Sequence, residues 1–177
     1  PEIVNAADGN ELYDASAFAT EARVTTDDAS PMATNDYVII TTNAIRSSSA
    51  QLAAFVQRKQ VAGHTVKVVT EGTSATSTTY VAGATADARA NNIRAWLKAR
   101  YLSEGIEYVL LIGNPHPTTF DAATRVPMKM TLPNSGYTTP TDMFYSDLSG
   151  TWDLNNNGTF GEVADLGTGG IDRLPEV

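Results

Sequence analysis

Three short apolar runs, separated by two segments of helical periodicity, constrain the fold of this chain more than any other feature of its sequence. The runs occupy residues 37–42, 65–69 and 107–112 and are rich in β-branched residues and leucine. Nearly continuous apolar runs are typical of strands buried on both faces, as in parallel sheets. The alternation of strands and helices predicts an α/β fold, a three-layer sandwich with a mainly parallel sheet in Rossmann-like βαβαβ order.

Capping signals delimit the two helices. Ser48 followed three residues later by Gln51 predicts a capping box at the start of the first helix. Thr85 predicts the start of the second helix, and Gly105 predicts its end. The stretch 70–84, rich in Thr, Ser and Gly, is expected to be a mobile loop between the second strand and the second helix.

The residues that follow the strands are candidate site residues, because ligands of parallel α/β sheets bind beyond the carboxyl ends of the strands. Asn114 and His116 follow the third run, and we take both as substrate-side candidates. A lone histidine in a loop is more often structural than catalytic, so this alternative stays open for His116. His64 lies between a glycine that ends a helix and the second strand, and we interpret it as structural.

Composition and charge argue against several classes of function. The 177 residues carry a formal net charge of -8 and contain no basic run, so nucleic acid is not expected as a partner. No apolar run approaches the length of a membrane span. Abundant Ser, Thr, Asn and Gly with little Lys is typical of exported proteins, which predicts a secreted or cell-surface location. The absence of cysteine excludes disulfides and thiolate metal sites in this stretch.

The first part of the chain differs in character from the rest. Residues 1–35 are polar and irregular, and we interpret them as a linker or the edge of a preceding domain. One or two strands packed on the main sheet are nearly as consistent with this segment. Because Pro1 is not a natural start, a leader or an earlier domain is expected to have been removed.

The strongest local signal is the segment 153–162, Asp-Leu-Asn-Asn-Asn-Gly-Thr-Phe-Gly-Glu. Asp153, Asn155 and Asn157 place side-chain oxygens at loop positions one, three and five, and Gly158 stands at position six. In EF-hand-like loops this spacing wraps alternate oxygens around one hard cation, and the glycine permits the sharp turn. The spacing predicts a structural calcium site.

The later part of this loop departs from the EF-hand pattern. Position twelve, where a bidentate glutamate is expected, is Ala164. The remaining candidate ligands are Thr159, Glu162 and Asp165, and either acidic residue could substitute only with altered loop geometry. Modest affinity is expected, because two of the three leading ligands are neutral. The alternative is an Asn-Gly turn that needs no metal.

A second polar cluster contains Asp142, Tyr145 and Asp147 within the segment 141–147. Two carboxylates five residues apart can bind a metal, form a pocket wall or take part in acid–base chemistry. The alternative is a capped turn with solvated carboxylates.

Several segments resemble gingipain-like peptidase domains, and they occur in that family's order. The strand 36–42, the end of the first helix and the strand 66–69 resemble the opening of such domains. The helix segment 90–97 and the strand with its Gly-Asn end, 105–114, continue the resemblance. Thr141-Asp142-Met143-Phe144-Tyr145 is similar to the family's SD-x-x-Y segment, and 173–177 resembles the lead into its next strand. The resemblance covers 36–177, which we take as the N-terminal α/β part of a peptidase domain.

This resemblance implies a caspase-like sandwich in an exported cysteine endopeptidase that acts on protein or peptide substrates. In that family a later His and Cys form the catalytic dyad, which we expect in the remaining C-terminal half of the domain. We therefore assign no catalytic residue in this chain, including His64 and His116. The resemblance also implies structural calcium, and it places Asp142 near the substrate side. Asn114 stands where related sequences often carry Asp.

Two alternatives to the endopeptidase remain open at this point. One is a sortase-like transpeptidase of the same superfamily, which cleaves and rejoins secreted proteins. The other is a catalytically inactive, calcium-binding cell-surface module on a degenerate peptidase scaffold, since a fold does not determine a function.

Overall fold

The three predicted apolar runs form neighbouring strands in the computed structural model, which describes residues 35–118, 121–134 and 137–162. This part of the chain contains a four-stranded sheet made of β1 (Tyr37–Ile40), β2 (Val66–Gly72), β3 (Thr79–Val81) and β4 (Tyr108–Leu111). The strand order is β3-β2-β1-β4, and every pair of neighbours is parallel. The predicted α/β class with a mainly parallel sheet is confirmed.

Helices cover both faces of this sheet. They are α1 (Asn43–Ser48), α2 (Ala50–Val61) and α3 (Ala86–Glu104). Successive side chains of a strand point to opposite faces, so alternate residues of β1 enter two different cores. Val38 and Ile40 pack in the core that includes residues of α3, whereas Tyr37 and Ile39 pack with Leu52 of α2. The sheet is therefore the middle layer of a three-layer sandwich, as predicted.

The start of the first long helix differs from the prediction by one residue. Ser49 is the cap of α2, and its Oγ accepts a hydrogen bond from Leu52 N at 3.1 Å. Ser48 instead ends the short helix α1, where its Oγ donates to Ala44 O at 2.8 Å. The reason is that Thr42 Oγ accepts from Ile45 N and starts a separate helical turn directly after β1. The predicted capping box at Ser48 is wrong.

The second helix agrees with its predicted limits. Thr85 Oγ accepts a hydrogen bond from Ala88 N at 3.1 Å, and Gly105 follows the last turn in the left-handed region with a φ of 65°. Between these ends α3 buries Ile93, Trp96 and Leu97 against the sheet. The helix therefore provides a large part of the core on this face, together with Val126, Phe144, Tyr145 and Trp152.

The stretch 70–84 is not the loop that was predicted. It contains the end of β2 and all of β3, because threonine is β-branched and fits a pleated strand as readily as a loop. Tyr80 of β3 is fully buried and donates to Thr41 O at 3.1 Å. Trp96 Nε1 donates to Thr76 O at 2.7 Å, which fastens the connection between β2 and β3 onto α3.

A hairpin and a short helix follow the parallel sheet. β5 (Lys129–Asn134) and β6 (Tyr137–Thr141) are antiparallel, and α4 (Met143–Ser146) comes next. The short helix α4 thus lies within the polar segment 141–147, between Asp142 and Asp147. No helix in the described ranges is both long and apolar enough to cross a membrane. Of the predicted segment 1–35 only Asn35 is described, and Ala164, Asp165 and 173–177 also lie outside the described residues.

Gly83 allows the chain to pass closely over the first turn of α3, which yields a prediction on stability. Gly83 has a φ of +70°, and a Cβ there would lie 2.6 Å from Arg89 N. Gly83→Ala is expected to lower the free energy of unfolding by about 3 kcal/mol or more, because it combines left-handed strain with a backbone clash. Gly63 has a φ of +98° but no atom within 4 Å of a built Cβ. Gly63→Ala should therefore lose only about 1–2 kcal/mol, from backbone strain alone. Urea unfolding of both variants measures the difference, and equal losses would contradict the close approach at Gly83.

Candidate functional site

Asn114 lies at the carboxyl end of the sheet, where it organises the loop after β4. Its Oδ1 accepts hydrogen bonds from Arg125 Nη1 and from His116 N, both at 3.1 Å. Arg125 is buried, and its Nη1 also donates to His116 O at 2.6 Å. Thr42 Oγ donates to Ala123 O at 2.6 Å, which holds the same loop against the end of β1. Asn114 therefore stabilises the conformation of the loop after β4 through hydrogen bonds to its neutral amide.

The two histidines lie at opposite ends of the sheet. His116 is exposed beyond the carboxyl end, and its Nδ1 accepts from Thr118 N at 3.3 Å. His64 lies near the amino end, where its Nδ1 is 2.7 Å from Asp36 Oδ2 and its ring packs on Tyr37 and Tyr108. The pairing of His64 fits the structural role expected from the sequence. The position of His116 keeps it on the side of the sheet where ligands bind.

Asp142 borders a cavity of about 560 Å³ that lies beside β4. The residue immediately precedes α4, but its side chain makes no capping hydrogen bond with that helix. The lining is mainly apolar and comes from α3, β4 and the segment around α4: Leu97, Tyr101, Ile106, Glu107, Val109, Leu110, Leu111, Asp142, Tyr145, Ser146 and Leu148. Loss of solvent raises the pKa of the Asp142 carboxyl above its ordinary value. Of the roles left open for this residue, the surroundings match a pocket wall.

Asp147 and Tyr145 serve the structure around this cavity. Asp147 is buried, and its Oδ1 accepts from Gly150 N at 2.9 Å within a tight turn. Arg94 of α3 donates to Asp147 O and to Gly150 O, each at 2.7 Å. Tyr145 is buried and donates a short hydrogen bond to Pro127 O, and burial raises the pKa of its phenol. The two carboxylates of this segment therefore have different surroundings, one facing the cavity and one capping a turn.

The oxygen-rich segment predicted to bind calcium forms a closed loop around its own backbone. Asp153 accepts from Asn157 N at 2.9 Å through Oδ1 and from Gly158 N at 3.0 Å through Oδ2. Asn155 Oδ1 also accepts from Asn157 N, at 3.0 Å, and Asn157 Oδ1 accepts from Thr159 N at 2.6 Å. The three leading side chains thus turn their oxygens towards one stretch of backbone.

Glu162 approaches this loop from its far end. Asn157 Nδ2 donates to Glu162 Oε2 at 3.0 Å, so an amide and a carboxylate of the predicted ligand set are in contact. Asn156 and Gly158 have φ values of 59° and 80°, which create the sharp reversal that an oxygen loop needs. No group of three His, Cys, Asp or Glu residues suited to a metal occurs in the described ranges. A cation held in this loop would therefore need amide and backbone oxygens in addition to the carboxylates of Asp153 and Glu162, and oxygen ligands of these kinds suit a hard ion.

Lys129 was not predicted as a site residue, although it is fully buried and contacts this loop segment. Its Nζ donates to Asp87 Oδ1 at 2.6 Å and to Asn91 Oδ1 at 2.8 Å, both on α3. The same Nζ lies 3.3 Å from the centre of the Phe160 ring, which belongs to the loop segment. Burial lowers the pKa of the Lys129 ammonium, and the hydrogen bond to Asp87 opposes this effect. The one sequence signal was a single lysine within an apolar stretch, 126–132.

Replacement of Asp142 or Asp121 by asparagine should change the unfolding temperature at neutral pH in opposite directions. Asp142→Asn is expected to raise the unfolding temperature at neutral pH, because the folded state then no longer holds a partly desolvated carboxylate. The pKa of Asp142 is raised in the folded state, so this gain should begin to shrink as the pH falls to that raised pKa and should be gone below the ordinary aspartate pKa. Thermal unfolding followed by circular dichroism from neutral to acidic pH measures it.

Asp121 is the matched control for this measurement. Its carboxylate accepts hydrogen bonds from Thr124 Oγ and Ala123 N, which lower its pKa. Asp121→Asn should therefore lower the unfolding temperature at neutral pH, and this loss should also vanish on acidification. Shifts of the same sign in both variants would contradict the different surroundings of the two carboxylates.

Comparison with known proteins identifies the family. A sequence profile described as Peptidase family C25 matches residues 30–177, which is most of the chain. No curated protein and no solved structure matches this chain. The match covers all the strands and helices described above, together with Asn114, Asp142 and the Asp153 loop. The chain belongs to peptidase family C25, the gingipain family.

Proposed function

We propose that this chain is the N-terminal, non-catalytic portion of an exported gingipain-like cysteine endopeptidase. The open side of β4 is the observation that carries this proposal. β4 pairs with β1 on one side, and no other described strand pairs with it. Tyr108 is 50% exposed and Val109 is 41% exposed, although strands of parallel sheets are ordinarily covered on both faces. An apolar strand of this kind supports the addition of further structure beside it.

The cavity next to β4 supports the same conclusion. Its lining is dominated by Leu, Ile, Val and Tyr side chains from β4 and α3, which is the composition of a surface that packs against protein. The remaining C-terminal half of the peptidase domain is the partner that family membership suggests for it. In this arrangement the four-stranded sheet continues past β4, and the residues at its carboxyl edge lie beside the active site.

Peptide-bond hydrolysis in this proposal uses a cysteine thiolate and a histidine contributed by that C-terminal half. The thiolate attacks the peptide carbonyl, and the histidine handles the proton. The 177 residues contain no cysteine, so their part in the reaction is positioning. Asn114 and Arg125 shape the edge of the sheet, His116 stands exposed on that edge, and Asp142 provides the one aspartate in the wall of the apolar cavity.

The thiol requirement can be tested on the parent protein. Chain 1–177 alone should not cleave a denatured protein substrate, whereas the parent protein should, and an alkylating agent should abolish its activity. Mass spectrometry of the products separates the alternatives. Rejoining of the cleaved substrate to an added amine would indicate a sortase-like transpeptidase. A parent without thiol-dependent cleavage would indicate an inactive binding module, and the endopeptidase proposal would then fail.

We also propose that the Asp153 loop binds calcium as a structural ion. Asp153, Asn155, Asn157 and Glu162 would hold it through side-chain oxygens, and Thr159 through its backbone carbonyl. Asp165, which was also predicted, lies outside the described residues. The support is the closed oxygen loop and the approach of Glu162 to Asn157. Bound calcium would fix the segment that carries Phe160 onto Lys129, and it would contribute no chemistry to peptide cleavage.

Calcium titration of the chain tests this second proposal. An ion that binds only the folded state at one hundred times its dissociation constant raises the free energy of unfolding by about 2.7 kcal/mol. Asp153→Ala should abolish the calcium-dependent rise in unfolding temperature, because it removes the one charged ligand among the leading three. Asp121→Asn removes a carboxylate that caps a different loop, and it should leave the rise intact. A chain with no shift at millimolar calcium would lack the proposed site.

Two features support the proposed export, namely the composition of the sequence and the weak calcium affinity expected of the loop. Calcium is held far lower inside cells than outside, so a loop with one charged leading ligand suits the weak, extracellular class of calcium site. The sequence is rich in Ser, Thr and Asn. A secreted or cell-surface peptidase is therefore the setting in which the loop would be filled.

A further inference from the structure

The dipeptide Asn157-Gly158 combines an exposed amide side chain with an unhindered backbone nitrogen. Both residues are exposed. A Cβ built at Gly158 meets no heavy atom within 4 Å, so the space where a side chain would lie is open. Because glycine has no side chain to screen it, its nitrogen can approach the side-chain carbonyl carbon of the preceding asparagine more easily than that of any other residue. The dipeptide therefore lacks the side chain that would hinder a ring closure between Gly158 N and Asn157 Cγ.

Three hydrogen bonds act on the groups that would take part in this closure. Thr159 N–H donates to Asn157 Oδ1 at 2.6 Å, which polarises the side-chain carbonyl and stabilises negative charge as it develops on that oxygen. Gly158 N–H donates to Asp153 Oδ2 at 3.0 Å, and a carboxylate acceptor increases the electron density on the nitrogen. Asn157 Nδ2 donates to Glu162 Oε2 at 3.0 Å, which fixes the orientation of the amide.

We propose that Asn157-Gly158 is a self-modification site at which Asn157 is converted to aspartate or isoaspartate. Gly158 N forms a bond to Asn157 Cγ, the Cγ–Nδ2 bond breaks, and the former proton of Gly158 N leaves with the amide nitrogen as ammonia. Water then opens the cyclic imide. Attack at Cγ gives aspartate, and attack at the main-chain carbonyl carbon gives isoaspartate. The sum is asparagine plus water giving an acid plus ammonia, with no oxidant or reductant.

Conversion of Asn157 to aspartate changes the interactions that keep the loop closed. A carboxylate at 157 cannot donate to Glu162 as the amide does, so two negative groups then stand side by side. Their repulsion is relieved by a cation between them, and the count of charged oxygens around that cation rises. This consequence rests on the proposed calcium site, whereas the modification itself does not. Conversion therefore turns a loop closed by its own hydrogen bonds into one that depends on a cation.

The modification is tested on the whole chain held at neutral pH and 37 °C. Peptide mapping over time should show the mass increase for replacement of NH₂ by OH at Asn157, with isoaspartate as a second, separable product. Asn156 is the internal control, because it is equally exposed in the same loop but precedes a residue with a side chain. Conversion at Asn157 should be at least about ten-fold faster than at Asn156. Asn157→Gln should remove the mass increase from this peptide. Equal rates at the two asparagines would overturn the proposal.

The effect of conversion on calcium binding is measured separately, with two single variants. Asn157→Asp should lower the unfolding temperature in a chelator and raise it above the wild-type value in excess calcium, with affinity increased by about ten-fold. Asn156→Asp adds the same charge at an exposed position outside the predicted ligand set, and it should leave the affinity within about two-fold of wild type. Conversion without any calcium response would defeat the calcium site and leave the modification intact. A calcium response equal in both variants would overturn the role assigned to position 157.

Discussion

The burial of β1 between two unlike cores is the constraint on which the rest of the structure depends. Its alternate side chains enter opposite faces, so one strand fixes the position of α2 on one side and of α3 on the other. Val38, Ile39 and Ile40 are fully buried. A shift of one residue in the pairing of β1 would exchange the two sets of side chains and leave both cores badly filled. The strands on either side take their register from this one.

Buried and half-buried basic side chains connect the loops around the sheet to helix α3. Arg89 donates to Ala82 O, Ala122 O and Arg125 O, so one side chain of α3 joins the approach to α3 with the loop after β4. Arg94 joins the turn at 147–150 to the same helix, and Lys129 joins the hairpin to it. Most of these partners are main-chain carbonyls, which attract a guanidinium without the desolvation of a second charge. Helix α3 thereby positions the cavity wall and the oxygen loop together.

The parts of this structure that could be predicted are those encoded by neighbouring residues. Apolar runs predicted β1, β2 and β4, the Thr85 cap predicted the start of α3 and Gly105 its end, because these signals act within a few residues. β3 was missed because its three residues, Thr79–Val81, do not form an apolar run. Their strand conformation depends on pairing with β2. Ser48 and Ser49 are equally good caps in isolation, and Thr42 decides between them by starting α1.

The features of the candidate site likewise separate into those that neighbouring residues encode and those that depend on packing between distant segments. The oxygen spacing after Trp152 is local and could be recognised, although whether an ion binds there stays a prediction. The cavity beside Asp142 could not be foreseen, since its walls come from α3, β4 and α4, which are distant in sequence. The burial of Lys129 was equally hidden, because it depends on Asp87, Asn91 and Phe160. Sequence patterns indicated candidate residues, and packing determined their surroundings.

The open side of β4 also has a consequence for how this chain behaves during synthesis and handling. A strand edge with free N–H and C=O groups is a template for any extended segment that reaches it, including the same strand of another copy. Tyr108 and Val109 add apolar surface to that template. Because polypeptides emerge from the ribosome with their N-terminal parts first, this edge would, under the proposed function, stay exposed until the C-terminal half of the domain is made. The rate of translation after β4, and the protein concentration at which chain 1–177 is stored, would therefore set how often it associates with itself.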